Sequence, residues 1–324
     1  MKGDSGSRAL IYTGPGRAEI RDVGVGEGDA LCRMVVSALS RGTERLVFEG
    51  RVPESERERM RAPFQRGDFP FPVEYGYCAV AEVLEGPPAL VGRRVFALHP
   101  HRTLFRLPSS ALVPLPEGLS PERAALAANM ETALNVVWDA RIAPGDRVAV
   151  VGAGLVGALI ARLAARVPGA EVFLSDMQPG RKALADHLGA RFREAGALPE
   201  GCDVAVNASG SGAGLAAALA CLGTEGRAVE ASWLGDRDAV LPLGGAFHSR
   251  RLTIVSSQVG RLPADRAVRW DFRRRLETAL RLLAADPALD ALITGEVAFD
   301  DLPARLPELL GPAAPGIATV VRYA

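Results

Sequence analysis

The chain of 324 residues has no surplus of either charge, with 38 Lys and Arg against 38 Asp and Glu. A nucleic-acid or anionic-membrane binder would need a basic excess, so neither partner is expected. Cysteine is scarce. Cys32, Cys78, Cys202 and Cys221 lie far apart and form no C-x-x-C pair, which speaks against a zinc ribbon or a disulfide framework. Long apolar runs are missing too, since no uninterrupted stretch reaches the roughly 18 residues of a membrane span. Residues 1–8 are polar and Gly/Ser-rich, without the apolar centre of a secretory signal, so the cytoplasm is the expected compartment. What is present is ordinary for a folded protein. Hydrophobic residues make up 48% and charged residues 23%, which excludes global disorder, and the length suggests two domains with a sizeable core.

The rhythm of the chain changes near residue 145. Before it, apolar segments such as 30–37, 77–84 and 94–98 are short and broken by Gly and Pro, the pattern of a twisted, partly open β domain. The charged run 54–61 reads as a solvated turn. From Asp146 strands and helices alternate: strands at 147–151, 171–175, 203–207, 227–232 and 252–257, and helices at 155–166, 179–188 and 215–222. Such alternation predicts a parallel sheet with helices on both faces. The amphipathic stretch 270–284 and the tail 292–321 match neither half.

Gly152-Ala153-Gly154-Leu155-Val156-Gly157 is a G-x-G-x-x-G between an apolar strand and a helix. The first glycine permits a tight turn, the second lets a pyrophosphate approach the main chain, and the third lets helix and sheet pack closely. The helix N-terminus offers its unpaired N–H groups to the phosphates. The next strand ends in Asp176, placed to accept hydrogen bonds from a ribose. A carboxylate there repels a 2′-phosphate, so NAD(H) is expected over NADP(H), although Arg181 nearby is able to hold a phosphate.

With that turn in the second half, after a β-rich first part, the sequence resembles the medium-chain dehydrogenase/reductases along nearly its whole length. The resemblance rests on Ser40-Arg41-Gly42-Thr43-Glu44, Gly76-Tyr77-Cys78 with Glu82-Val83, Val91-Gly92-Arg93-Arg94-Val95, Glu131-Thr132-Ala133, Pro144-Gly145-Asp146 and Leu188-Gly189-Ala190. It implies an α/β protein with a GroES-like, partly open β-barrel catalytic domain (1–129 and 258–324) around a Rossmann NAD-binding domain (130–257). Where zinc enzymes of the family carry their catalytic ligands, this chain has Ser40, Tyr77 and Ala128, with Cys78 in place of a glutamate. A hydroxyl, a phenol and a methyl do not make a zinc site. The four-cysteine structural-zinc lobe is absent as well. The chain therefore resembles a zinc-free branch, with a distant similarity to bacteriochlorophyllide side-chain dehydrogenases.

Without a metal, interconversion of an alcohol and a carbonyl needs positioned acid/base or donor groups. The resemblance nominates Tyr77, which either aims its phenol at the substrate oxygen or fills the empty metal space. It also nominates His99, whose unperturbed pKa of about 6.5 suits proton exchange. Ser40 and Thr43 are candidates to bind the substrate or relay its proton, and Glu131 to orient Tyr77, to raise the pKa of a base or to pair with Arg41. Arg41 resembles a pyrophosphate contact. Thr132, Ser209, Ser232, Ser256 and Ser257 join Gly152, Gly154, Leu155, Val156, Gly157, Asp176 and Arg181 as expected cofactor contacts, the last four serines because they follow strand ends. The expected protein is a zinc-independent, NAD-dependent oxidoreductase, a homodimer acting on a small-molecule alcohol or carbonyl. An NADPH-dependent enoyl or quinone reductase and a non-catalytic nucleotide sensor are the competing readings. Residues 51–68, with Arg59, Arg61 and Arg66, form either a solvated loop or a lid selecting an anionic or bulky substrate.

Overall fold

Short strands with alternating burial build the first unit of the computed structural model, which describes residues 6–324. Of the polar N-terminal stretch, residues 1–5 lie outside the described residues. This unit comprises the chain up to Ala128 together with Leu276–Ala324. Its strands are β1 (Ser7–Gly14), β2 (Arg17–Val23), β3 (Ala30–Ala38), β4 (Arg66–Gly67), β5 (Val73–Glu74), β6 (Ala79–Glu85), β7 (Arg94–Ala97), β8 (Leu104–Leu107) and β9 (Val113–Pro114). β2, β1, β5 and β4 form one small sheet. β3 alternates buried Cys32, Met34 and Val36 with more exposed neighbours, and pairs antiparallel with both β6 and β8. Their inner faces meet around Cys32, Met34, Val83, Val95 and Phe105. Helix α1 (Arg41–Phe48) follows β3 directly and carries the Ser40–Glu44 motif in its first turn.

The second unit is Asn129–Arg275. Its sheet consists of β10 (Arg147–Val151), β11 (Glu171–Asp176), β12 (Arg191–Glu194), β13 (Cys202–Asn207), β14 (Leu222–Glu230) and β15 (Thr253–Ser256), all parallel, in the order β12-β11-β10-β13-β14-β15. That is the doubly wound dinucleotide-binding order, whose switch point lies beside β10, outside the carboxyl ends of its strands. The α/β fold expected from the alternation is found. β14 begins at Leu222, inside the segment expected to be helical, and the helix there spans Gly212–Ala220. The return to the first unit was expected at 258. The contacts carry it to Leu276, because residues 258–275 pack on the second unit through Trp270 against Trp138 and Arg275 against Glu131 and Asn135.

The tail, which matched neither half, supplies β16 (Ile293–Ala298) and β17 (Ala318–Arg322). They pair in parallel, and β17 lies antiparallel to β3. Among the described residues no helix is long and apolar enough to cross a membrane.

Candidate active site

In the second unit the site is made of main chain. A Cβ on Gly157 would lie 1.8 Å from the carbonyl oxygen of Gly152, so only glycine lets this helix sit on its strand. Gly152 holds φ at 101°, a left-handed conformation, and a Cβ there would press on Ala208 at 2.8 Å. Gly154 faces open space and caps the helix Leu155–Ala165, so the N–H groups of Leu155, Val156 and Gly157 begin it without an earlier turn to satisfy them. Asp176 at the end of β11 accepts from the Ala153 N–H (2.7 Å) through one oxygen and from the Gln178 N–H (2.9 Å) through the other. The carboxylate is thus fixed beside the turn. The glycines, the helix start and the carboxylate fit a dinucleotide. Arg181 lies in the short 3-10 turn Pro179–Arg181 that follows.

The strand-end serines have varied fates. Ser209 Oγ donates to Asn207 Oδ1 (2.7 Å), and Ser232 Oγ accepts from the Gly210 N–H (3.0 Å). Asn207 Nδ2 donates to Glu230 (2.7 Å), whose carboxyl pKa burial pushes up. Asn207 and Glu230 knit this cluster together, yet neither was singled out from sequence, since a polar strand end carries no spacing signal. Ser256 is exposed at the end of the edge strand β15. Ser257 donates to Asp139 (2.6 Å) and accepts from Asn135. Glu131, expected beside Tyr77 or Arg41, instead forms a buried ion pair with Arg275 at 3.0 Å. Burial raises its pKa and the guanidinium opposes that shift. Thr132 is the next residue on the helix Ala127–Ala140.

In the first unit the site is made of side chains. Tyr77, half-buried, donates its phenolic O–H to Ser40 Oγ at 2.5 Å and shares a hydrogen bond with Thr43. Burial, then the neighbouring Cys78, pushes the phenol pKa above its ordinary value, so at neutral pH it keeps its proton. Glu44, fully buried, holds this corner. It accepts from the Ser40 N–H (2.6 Å), from the Tyr12 hydroxyl (2.9 Å) and from His101 Nε2 (3.1 Å). His101 Nδ1 meets Ser37 Oγ (2.7 Å), which also meets the Tyr323 hydroxyl (2.8 Å). Glu44 stood in the quoted motif without a role, and Tyr12, Ser37 and Tyr323 were missed because nothing in their spacing links them.

His99 does not join the Tyr77 cluster. Its ring stacks on Phe105 with centroids 4.0 Å apart, and Nδ1 donates to the Pro100 carbonyl (2.9 Å). Burial lowers its pKa to about 3, so the neutral-pH titration expected of it is lost. Arg41 spends its guanidinium on the carbonyls of Ala314 (3.2 Å), Pro315 (2.7 Å) and Gly316 (3.3 Å).

The donor set also tests the zinc implied by the wider family. Ser40 accepts from a protonated phenol, Tyr77 is that phenol, and Ala128 offers a methyl. The Cys78 thiol alone remains, one ligand where a catalytic zinc takes three from the protein. These residues do not fit a catalytic zinc.

No protein-family model matches the chain. D-xylulose reductase A of Aspergillus oryzae is 26% identical over 234 residues, 67% of this chain and 61% of that protein. The chain thus spans about three fifths of the curated relatives it matches. Among solved structures, L-idonate 5-dehydrogenase from Escherichia coli superposes with a TM-score of 0.77 at 16% identity, over 98% of both chains. The zinc dependent alcohol dehydrogenase 2 from Streptococcus pneumonia does so with a TM-score of 0.76 at 17% identity, again over 98% of each. Coverage of this extent with the sheet order above identifies the architecture: the chain shares the α/β fold of these dehydrogenases, a parallel Rossmann-like sheet beside a mixed sheet.

Proposed function

We propose that the protein is an NAD(H)-dependent oxidoreductase that interconverts a small-molecule alcohol and a carbonyl without zinc. The observation that carries this reading is the Gly152–Gly157 turn, open at Gly154 and braced by Asp176. Gly154, Leu155, Val156 and Gly157 would hold the pyrophosphate through main-chain N–H groups, and Asp176 the ribose. Thr132, Arg181, Ser209, Ser232, Ser256 and Ser257 are the further contacts assigned to the cofactor. Asp176 supports NAD(H) over NADP(H), because its charge opposes a 2′-phosphate.

Bound nicotinamide supplies the carbon that takes or gives a hydride. The chain's own part is to hold and polarise the substrate oxygen. Tyr77, protonated at neutral pH, takes that role by turning its single O–H from Ser40 Oγ to the substrate oxygen, Ser40 and Thr43 then donating to the phenol oxygen and offering the proton a path. Glu44 holds the Ser40 main chain through its N–H. Buried and neutral, His99 is assigned no proton transfer in this scheme. We place the enzyme in the cytoplasm as a homodimer, with an edge strand of the six-stranded sheet, β12 or β15, as the element to pair.

The test has three readouts on one preparation: titration with NADH and NADPH, oxidation of a panel of alcohols with NAD⁺, and the same assay after chelation. Tighter binding of NADH and chelator-resistant turnover are expected. Preference for NADPH overturns the cofactor assignment, and activity lost on chelation and restored by zinc overturns the mechanism.

A further inference from the structure

A cavity of about 400 Å³ lies wholly within the first unit, and none of Ser40, Thr43 or Tyr77 lines it. Its volume is in the range of small-molecule sites. Two guanidiniums, Arg66 and Arg106, face it with His99, Phe64 and Gln65. Arg106 is hydrogen-bonded to Glu85 (2.5 Å). The Arg66 guanidinium makes no hydrogen bond or ion pair within 4.0 Å with any described residue, although Arg66 stands opposite Glu74 in the β4–β5 pair and acts on its carboxyl from further off. Its Nη2 lies 2.1 Å from where a Cβ of Gly26 would be, so the absence of a side chain at Gly26 makes room for the guanidinium at the cavity wall.

The surroundings add to the positive field. Arg102 is fully buried and reaches the carbonyl of Val25, next to the lining Gly26. Its Nε and Nη2 have no hydrogen-bond partner, and Glu74, its counter-ion, is 3.6 Å away with one oxygen likewise unpartnered. Buried donors left unmade are costly and rare. One acid, the exposed Glu27, also lines the cavity, so the lining carries two positive charges against one negative. Phe64 takes a left-handed φ of 57°, which a bulky residue rarely adopts, and its ring stands 6.3 Å from that of His99. Because His99 Nδ1 donates to Pro100, its Nε2 is left as an acceptor.

We propose that this cavity binds a small oxyanion that also carries an O–H group, the charge held by Arg66 and Arg106 and the hydroxyl donated to His99. Guanidinium forks suit carboxylate and phosphate oxygens, while an accepting imidazole discriminates in favour of a ligand with a proton to give. Monohydrogen phosphate and a 2-hydroxycarboxylate share that chemistry. The inference does not depend on the reading of the nucleotide turn or of Tyr77.

The experiment follows the melting temperature and the His99 Cε1–H resonance, assigned through His99→Phe, during titrations at constant ionic strength. The probes are inorganic phosphate, glycolate, sulfate, acetate and chloride. Saturable binding is expected for phosphate or glycolate, with the two readouts sharing a midpoint, and at least tenfold weaker binding of sulfate and acetate. Phosphate alone would assign the site to phosphate, and glycolate alone to a hydroxy acid. Arg66→Ala, on an exposed side chain, should weaken binding at least tenfold, and Arg59→Ala should leave it unchanged. Binding by neither probe, equal binding of sulfate and phosphate with acetate matching glycolate, or indifference to Arg66→Ala overturns the proposal.

Discussion

The two units build their sites from opposite materials. In the second unit a ligand would meet main-chain N–H groups exposed by glycines, with one carboxylate beside them. In the first it would meet hydroxyls held by other side chains: Tyr77 on Ser40 and Thr43, and all of these near a buried Glu44 that accepts three hydrogen bonds. At Gly152 and Gly157 the main-chain site tolerates no added atom and offers no conservative replacement. A side-chain site degrades by degrees, since an amide or a shorter hydroxyl can take over part of a lost partner's role.

The largest effect is expected where no relaxation is available. Gly157→Val pushes a side chain into the Gly152 carbonyl, and should abolish NADH binding in a fluorescence titration and lower the melting temperature by roughly 5 °C or more. Wild-type affinity in that variant would break the comparison. In the first unit, Glu44→Leu strands the Tyr12 hydroxyl, the Ser40 N–H and His101 without their acceptor. Urea unfolding should show a loss of about 3 kcal/mol or more, and Glu44→Gln should recover a measurable part of it. A glutamine variant no better than leucine would mean that this corner is as intolerant as the glycine turn.

A smaller effect is expected on turnover. Tyr77→Phe keeps the ring and removes the donor, so the rate with the best alcohol of a panel should fall roughly 100-fold with NADH affinity unchanged. An undiminished rate would remove Tyr77 from the chemistry. The smallest effect concerns His99. Above about pH 6.5 it is neutral both folded and unfolded and contributes nothing to pH dependence. Below that, the unfolded chain takes a proton that the folded one refuses until about pH 3, so stability falls as the pH falls. His99→Phe should flatten the slope of unfolding free energy between pH 6 and pH 4 by up to about 1.4 kcal/mol per pH unit. Parallel slopes would show that burial does not suppress its titration.

The same contrast explains what could be read from the amino-acid order alone. The glycine turn, β10, β11 and the helix between them are local in sequence, and Gly152 and Gly157 each have a close main-chain contact that explains them. The strand β12 was missed because Arg191, Arg193 and Glu194 mask its single apolar residue, Phe192. β16 and β17 were missed because their pairing spans a helix and their partner β3 lies near the other end of the chain. The hydroxyl trio was legible through family resemblance. Its support was not, because Tyr12, Ser37, Glu44, His101 and Tyr323 converge only after folding. The ion pair of Glu131 with Arg275 was not legible for the same reason: a carboxylate on a helix gives no hint of a guanidinium so distant in the chain.

The hydrogen bond from the Ala153 amide to Asp176 joins the proposed anchor for the sugar to the proposed loop for the phosphates before any guest arrives. Little ordering is then left for association to accomplish, so the adenosine half of a dinucleotide should dock much as the whole does. ADP-ribose would accordingly act as a competitive inhibitor.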